Sequence, residues 1–348
     1  MKKYIDGLQV AAVYVGTVIG AGFATGKEIV EFFSRYGFIG IISILLAGYL
    51  FIALGTKMML IAIDLKAKSY EEFNEYLFGR TISKFMNVFM MMMLLGVCGV
   101  MFSGAGAVFQ EHLGISKNIG IYLTIFLTIF IMLIGTKGVF AVNTFVVPMM
   151  IIFNFIVMSK SILTPNFFES VLMIPKVEDG WRLFLSPFSY AALNLILAQA
   201  VLVPIASEVN DKKVVRIGGI IGGGLLTLIL LSSHFTLITL PNVAEFEIPM
   251  AIIVQNTFGS IYYIYVAIIY GEIFTSIIGN VYGLGKQIQQ YLSIKSLWIY
   301  MIIIAVVTLI SKVHYGTLLA LLYPLFGYIS LIFIFLLWIR SENKFTKA

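Results

Sequence analysis

The stretch Gly16-Thr17-Val18-Ile19-Gly20-Ala21-Gly22-Phe23-Ala24-Thr25-Gly26 decides how this chain is read. It lies inside an apolar run covering 6–33, and glycine recurs within it at 16, 20, 22 and 26. Each glycine costs a helix about 1 kcal/mol relative to alanine. Close helix packing of the small-xxx-small kind would account for the pairs Gly16/Gly20 and Gly22/Gly26. It does not explain why Lys27, Glu28 and Glu31 follow in a segment that must still reach the far surface. A backbone opened at 19–23 explains both. In lipid a backbone leaves the helix only where protein or a water-lined cavity satisfies its freed N–H and C=O groups, so the opening points to a ligand site near mid-bilayer. Amides at Gly20, Ala21, Gly22 and Phe23 would begin a half-helix and favour a carboxylate. Carbonyls before the opening could ligate a cation or an ammonium group.

Hydrocarbon is the main solvent of this chain. Its 348 residues are 60% hydrophobic and 11% charged, with mean hydropathy +1.00, whereas soluble domains carry about 25% charged residues. Ten windows are long enough to cross a bilayer, at 6–33, 38–63, 81–110, 118–135, 139–161, 181–207, 214–240, 258–290, 296–311 and 316–340. The third and eighth are long enough to tilt or project. Lys2 and Lys3 precede an apolar run too long for a signal peptide, so it reads as a retained first span.

The net charge of +6 reflects orientation, since basic residues gather on cytoplasmic loops. With a cytoplasmic N-terminus the inner side holds Lys2, Lys3, Lys57, Lys66, Lys68, Arg80, Lys84, Lys137, Lys212, Lys213, Arg216, Lys286, Lys295, Arg340, Lys344 and Lys347. The outer side keeps Arg35, Lys117, Lys160, Lys176, Arg182 and Lys312. An even number of spans also puts the basic C-terminus inside. No basic stripe interleaved with aromatics suggests nucleic acid as a partner; the lipid bilayer and a small solute are the partners expected.

Five spans per half make the chain one transmembrane domain, 1–348, with an inverted-topology repeat of about 1–165 and 175–340. The second half would open, like the first, on an interrupted helix: Tyr190 to Pro204, holding Tyr190, Asn194, Gln199 and Pro204. Asn194 can donate to and accept from a solute, although Pro204 alone would explain a kink. Residues 69–78 read as a short amphipathic helix on the cytoplasmic surface, and 166–181, with Pro175, Glu178 and Asp179, as an external loop.

The glycine run and the segment Gly20-Ala-Gly-Phe-Ala-Thr-Gly-Lys-Glu-Ile, with Asn280-Val-Tyr-Gly-Leu further on, resemble the amino acid–polyamine–organocation superfamily. Within it the likeness is to a small bacterial amino-acid permease branch. The resemblance implies the leucine-transporter-type fold of five plus five spans, with helices 1 and 6 discontinuous. Spans 1, 2, 6 and 7 would rock against spans 3, 4, 8 and 9. It also implies an Na⁺ site made by the carbonyls of Gly16, Ile19 and Glu272 and the hydroxyls of Thr275 and Ser276; neutral oxygens suit a hard cation. The alternative is that both hydroxyls bond back to the preceding helical turn. Glu272 departs from the small residue of sodium-coupled relatives. A carboxyl inside a span is a functional candidate by default, here as a proton carrier, a counter-ion to a cationic solute, or a partner of Lys27. Glu208 to Arg216 resembles the acidic-to-basic loop of an inner gate, though a solvated loop fits equally.

Asn280, one turn beyond Ser276, and Ser103 on the third span complete the candidate solute contacts. Cys98 is the only cysteine, so an intrachain disulfide is excluded. His112, His234 and His314 lack zinc spacing, and no nucleophile elbow, P-loop or dinucleotide fingerprint occurs. No enzyme and no organic cofactor are expected. The expectation is a multi-pass secondary transporter of the bacterial cytoplasmic membrane for an amino acid or other amine-bearing solute, coupled to Na⁺ or, second, H⁺. The alternatives are a membrane-embedded ligand sensor of the spore-germinant type, which binds without transporting, or a channel.

Overall fold

A computed structural model describes residues 2–175, 180–259, 262–292 and 295–340. The expectations attached to Lys176, Glu178, Asp179, Lys344 and Lys347 lie outside them. The described residues are all-α. In chain order the helices are α1 (Lys2–Val18), α2 (Ala21–Ala24), α3 (Lys27–Phe32), α4 (Phe38–Leu50), α5 (Thr56–Leu65), α6 (Tyr70–Ala107), α7 (Lys117–Ile134) and α8 (Thr136–Ser161). There follow α9 (Phe167–Leu172), α10 (Gly180–Val209), α11 (Lys212–Leu237), α12 (Pro249–Phe258), α13 (Tyr262–Tyr291), α14 (Ser296–Ile310) and α15 (Tyr315–Ile339).

Seven helices among the described residues are long and apolar enough to cross a membrane, and Pro148–Ser161 and Ser296–Ile310 are shorter apolar helices. Many large apolar side chains, such as Phe126, Leu133 and Phe335, point outward, as expected of a chain whose exterior meets lipid. The first apolar segment is in pieces. Its helix stops at Val18, resumes for one turn as α2, turns through Gly26 at φ +80°, and resumes again as α3. A side chain at that positive φ would be strained.

The surface helix expected at 69–78 is present as the first part of α6. Ser69 caps it by accepting from the Glu72 amide at 3.4 Å, while the Glu72 carboxylate takes the Lys68 amide at 2.8 Å. Gly79, at φ +79° and ψ 164°, bends the chain into the long apolar part. Between α4 and α5 a π-turn, Phe51–Gly55, loosens the second span, and the Tyr14 hydroxyl donates to the Phe51 carbonyl there at 2.9 Å.

Packing sorts the helices into two groups. In one, α1 lies along α11 and against α10, and α10 and α11 both pack with the α4–α5 rod. Glycines allow the closeness: a Cβ on Gly222 would come 2.8 Å from the Tyr14 ring, and one on Gly223 would come 2.7 Å from the Ile52 amide. In the other group, α6, α7, α13 and α14 pack on one another. The fragment α2 contacts α13 and so joins the two.

The sixth apolar segment differs from the expectation. α10 runs unbroken from Gly180 to Val209 with Pro187 and Pro204 inside it. Its polar groups are absorbed without opening the helix. Asn194 Nδ2 donates to the Tyr190 carbonyl one turn back at 3.0 Å. The Tyr190 ring is clasped by Phe32, Phe33 and Phe51 at centroid distances of 5.2, 4.8 and 5.9 Å. No glycine lies within 181–209 to lower the cost of unwinding.

The charged residues collect at two ends. At one, Lys3 binds Asp211 at 2.7 Å, Lys212 binds Asp64 at 2.5 Å, Lys57 donates to the Trp338 carbonyl at 2.7 Å and Arg340 to that of Leu77 at 3.2 Å. Asp211 also caps α11, accepting from the Lys213 and Val214 amides. Lys3, together with these amides, holds its carboxyl below the ordinary aspartate range. Asp211 is thus tied to the N-terminus, while Glu208, Lys213 and Arg216 of the same stretch are exposed. Lys27, Arg35, Lys117, Arg182, Glu247 and His314 mark the opposite end.

Candidate functional site

The break in the first segment is built by local backbone bonds. The Ile19 amide still returns to the Val15 carbonyl at 2.8 Å, and the Gly20 carbonyl then accepts from Phe23 and Ala24 at 3.0 and 3.1 Å. Thr25 closes the lower turn, donating to the Gly22 carbonyl at 3.1 Å and meeting the Tyr315 hydroxyl at 2.7 Å, while its own carbonyl accepts the Met250 amide at 3.1 Å. The two pieces after the break have 4 and 6 residues. That is a correction to the expected half-helix, because pieces so short align too few peptide dipoles to draw an anion.

Gly20 lies against the eighth span: a Cβ there would sit 3.2 Å from Ser276 Oγ. Nearer the Lys3–Asp211 end, a Cβ on Gly16 of α1 or on Gly279 of α13 would meet nothing within 4 Å. Asn280, next to Gly279, is half-buried. Toward the other end the break is sealed. Lys27, itself buried, donates to the carbonyls of Ala244 and Phe246 at 2.7 and 2.8 Å, and Glu247 accepts the Gly316 amide at 3.4 Å. Lys27 is therefore spent on the loop before α12, and the pairing with Glu272 considered from sequence does not form.

Glu272 is fully buried on α13, and neither carboxyl oxygen has a hydrogen-bond partner. The Thr275 hydroxyl, the nearest donor on its own helix, goes instead to the Glu272 carbonyl at 2.8 Å. Of the five oxygens expected around Na⁺, Ser276 thus lies at the break, and Thr275 and the Glu272 carbonyl are engaged with each other. Gly16 is half-buried and Ile19 buried beside them. Among the described residues no cluster of three His, Cys, Asp or Glu could hold a metal ion.

The solute candidates divide. Tyr190 and Asn194 of α10 converge on the break; Phe23 is buried beside it, and Ala21 is placed by its backbone in α2. Ser103 is placed elsewhere, its hydroxyl donating to the Val313 carbonyl at 2.6 Å and accepting from Lys117 at 3.1 Å. The residue that joins the break to α10 is one the sequence reading passed over. Glu28 folds back so that its carboxyl lies on Gly22, where a Cβ would collide with Oε2, and it faces Asn194 and Tyr190 of α10. The available signal was a carboxylate placed within two residues of the last glycine of the run. A surface cavity of about 650 Å³, lined by Arg35, Arg182 and Asn242 among others, opens at the Lys27 end and includes none of these residues.

An opened first helix, bridging two packed groups of spans and touching the eighth span through a glycine, defines the leucine-transporter-type fold. Solved structures share it. Mhp1, a nucleobase-cation-symport-1 family transporter in a closed conformation with bromovinylhydantoin bound, matches with TM-score 0.58 at 13% identity, over 91% of this chain and 74% of that one. The Eremococcus coleocola manganese transporter matches with TM-score 0.56 at 16% identity, over 96% and 78%. The particular family follows from sequence: residues 4–317 match the spore permease model, described as spore germination protein, and the chain belongs to that family. It is 50% identical to the membrane protein YkvI of Bacillus subtilis over 94% of its length and 93% of the relative's, and 21% identical to YyaD of the same organism over 93% and 94%. These matches replace the assignment to an amino-acid permease branch of the amino acid–polyamine–organocation superfamily. The glycine signature that suggested it encodes an opened helix, which is a local backbone geometry and not the mark of one family.

Proposed function

We propose that this chain is a secondary active transporter of a small amine-bearing solute, an amino acid or an amine, working by alternating access. In this reading it crosses the bacterial cytoplasmic membrane ten times as an inverted five-plus-five repeat, with both termini cytoplasmic. The basic residues tied together around Lys3, Lys57, Lys212 and Arg340 support that orientation. Na⁺ is the favoured coupling ion and H⁺ the second.

One observation carries the proposal: Gly20, at the opened backbone, lies against Ser276 of α13, four residues from the unpartnered Glu272 carboxyl. A cation bound between Gly16, Ile19, Glu272, Thr275 and Ser276 would fasten the first span to the eighth, and solute at the Gly20–Phe23 opening would bridge to Tyr190 and Asn194. The seal at Lys27 and the open space at Gly16 and Gly279 fit a conformation facing the cytoplasm.

The family's description as a spore germination protein favours a second reading, a ligand sensor that binds without moving its ligand. Liposomes containing only this protein, preloaded with unlabelled amine or amino acid, separate the two. Counterflow of labelled solute, stimulated by inward Na⁺, supports transport; saturable binding with no flux favours the sensor.

A further inference from the structure

We propose that the Glu28 carboxylate is the counter-ion on which the ammonium group of the solute docks, so that the site selects organic cations lacking a carboxylate over zwitterionic amino acids. The inference narrows the substrate class and rests on reading the break as the solute site.

Three features of the break support it. First, the space against Gly22, where the opened backbone would receive a substrate carboxylate, is filled by the chain's own carboxyl. Second, the groups of α10 that face Glu28, Asn194 and Tyr190, are neutral. The cation closest in sequence, Lys27, turns away to the Ala244 and Phe246 carbonyls. A carboxylate has about four lone-pair sites, so these two neighbours leave room for an ammonium group. A second carboxylate brought here would meet only like charge, in surroundings where charge interactions are weakly screened.

Third, the Tyr315 hydroxyl, which could otherwise donate to an incoming carboxylate, is already engaged: it meets that of Thr25, three residues from Glu28, at 2.7 Å.

The test uses the full chain in lipid nanodiscs and matched pairs of ligands differing only by a carboxylate: putrescine against ornithine, isobutylamine against valine, ethylamine against alanine. Binding is followed by calorimetry. The expected result is that at least one amine binds ten times or more tighter than its parent amino acid. Glu28→Gln should remove that preference by weakening the amine at least tenfold. Tyr190→Phe, which keeps the ring and deletes the hydroxyl, should preserve the order of the pair and shows that a variant at this site folds. Parent amino acids binding as tightly as their amines, an unchanged preference in Glu28→Gln, or no amine binding at all would overturn the proposal. Flux is measured separately. Amines that bind without being moved would leave the docking rule standing and refute transport, whereas amino acids moved equally by native protein and Glu28→Gln would do the reverse.

Discussion

Gly22→Ala and Gly16→Ala form a matched pair whose contrast depends on the opened first segment. In an unbroken helix both replacements would remove a glycine and stabilise the protein by up to about 1 kcal/mol. In this structure they part. A Cβ on Gly16 meets nothing within 4 Å, whereas one on Gly22 runs into Oε2 of Glu28 and lies 3.1 and 3.3 Å from its Cβ and Cδ. Glu28 is buried against Gly22 and faces Asn194 and Tyr190, so it cannot swing aside without disturbing its neighbours. Overpacking of this kind costs about 1–3 kcal/mol. Gly22→Ala should therefore melt several degrees below the native protein, and Gly16→Ala at or slightly above it. Cys98 provides the assay: it is the only cysteine and is buried, so a thiol-reactive dye reports unfolding directly. Gly22→Ala should also weaken solute binding about tenfold, the equivalent of about 1.4 kcal/mol. Equal melting temperatures for the two variants, with unchanged binding, would refute the placement of Glu28 on the break.

Three further outcomes are expected. Replacing Thr275 and Ser276 together by alanine should abolish Na⁺ stimulation of solute binding, and stimulation that persists would remove these hydroxyls from the cation site. Glu272→Gln should flatten the pH dependence of uptake in proteoliposomes; an intact profile would make this buried carboxyl structural. Lys27→Met deletes two hydrogen bonds from a charged donor, worth about 1.5–3 kcal/mol each, and should unseat the loop before α12. In a Cys98→Ala background, an impermeant maleimide should then label Ala251→Cys at least five times faster than with Lys27 in place.

What the sequence disclosed was the backbone at the first break, because glycine at 16, 20, 22 and 26 records local geometry directly. Ser276 entered the sequence reading only through the resemblance, and its place opposite Gly20 is what the structure adds. The sixth span was misjudged because polar residues in an apolar helix have two meanings. Asn194 can mark an opening or can return a bond to the previous turn, and only the surrounding contacts separate these. Glu28 escaped notice because its role is made by a fold-back across the turn at Thr25 and Gly26, which brings side chains six positions apart in sequence into contact. Ser103 was misleading in the opposite sense: a small polar residue on the third span could be a solute contact or a packing residue, and Lys117 and the Val313 carbonyl engage its hydroxyl.

The Tyr14 hydroxyl, lodged in the π-turn of the second span and backed by Gly222, has a mechanical consequence. It ties the lower part of the first span to the second, so in the proposed alternating-access cycle a tilt of α1 would carry α4 and α5 with it. The bend would then fall on the two residues between α1 and α2, Ile19 and Gly20. Gly20 borders Ser276, so whatever occupied that contact would limit how far the lever travels.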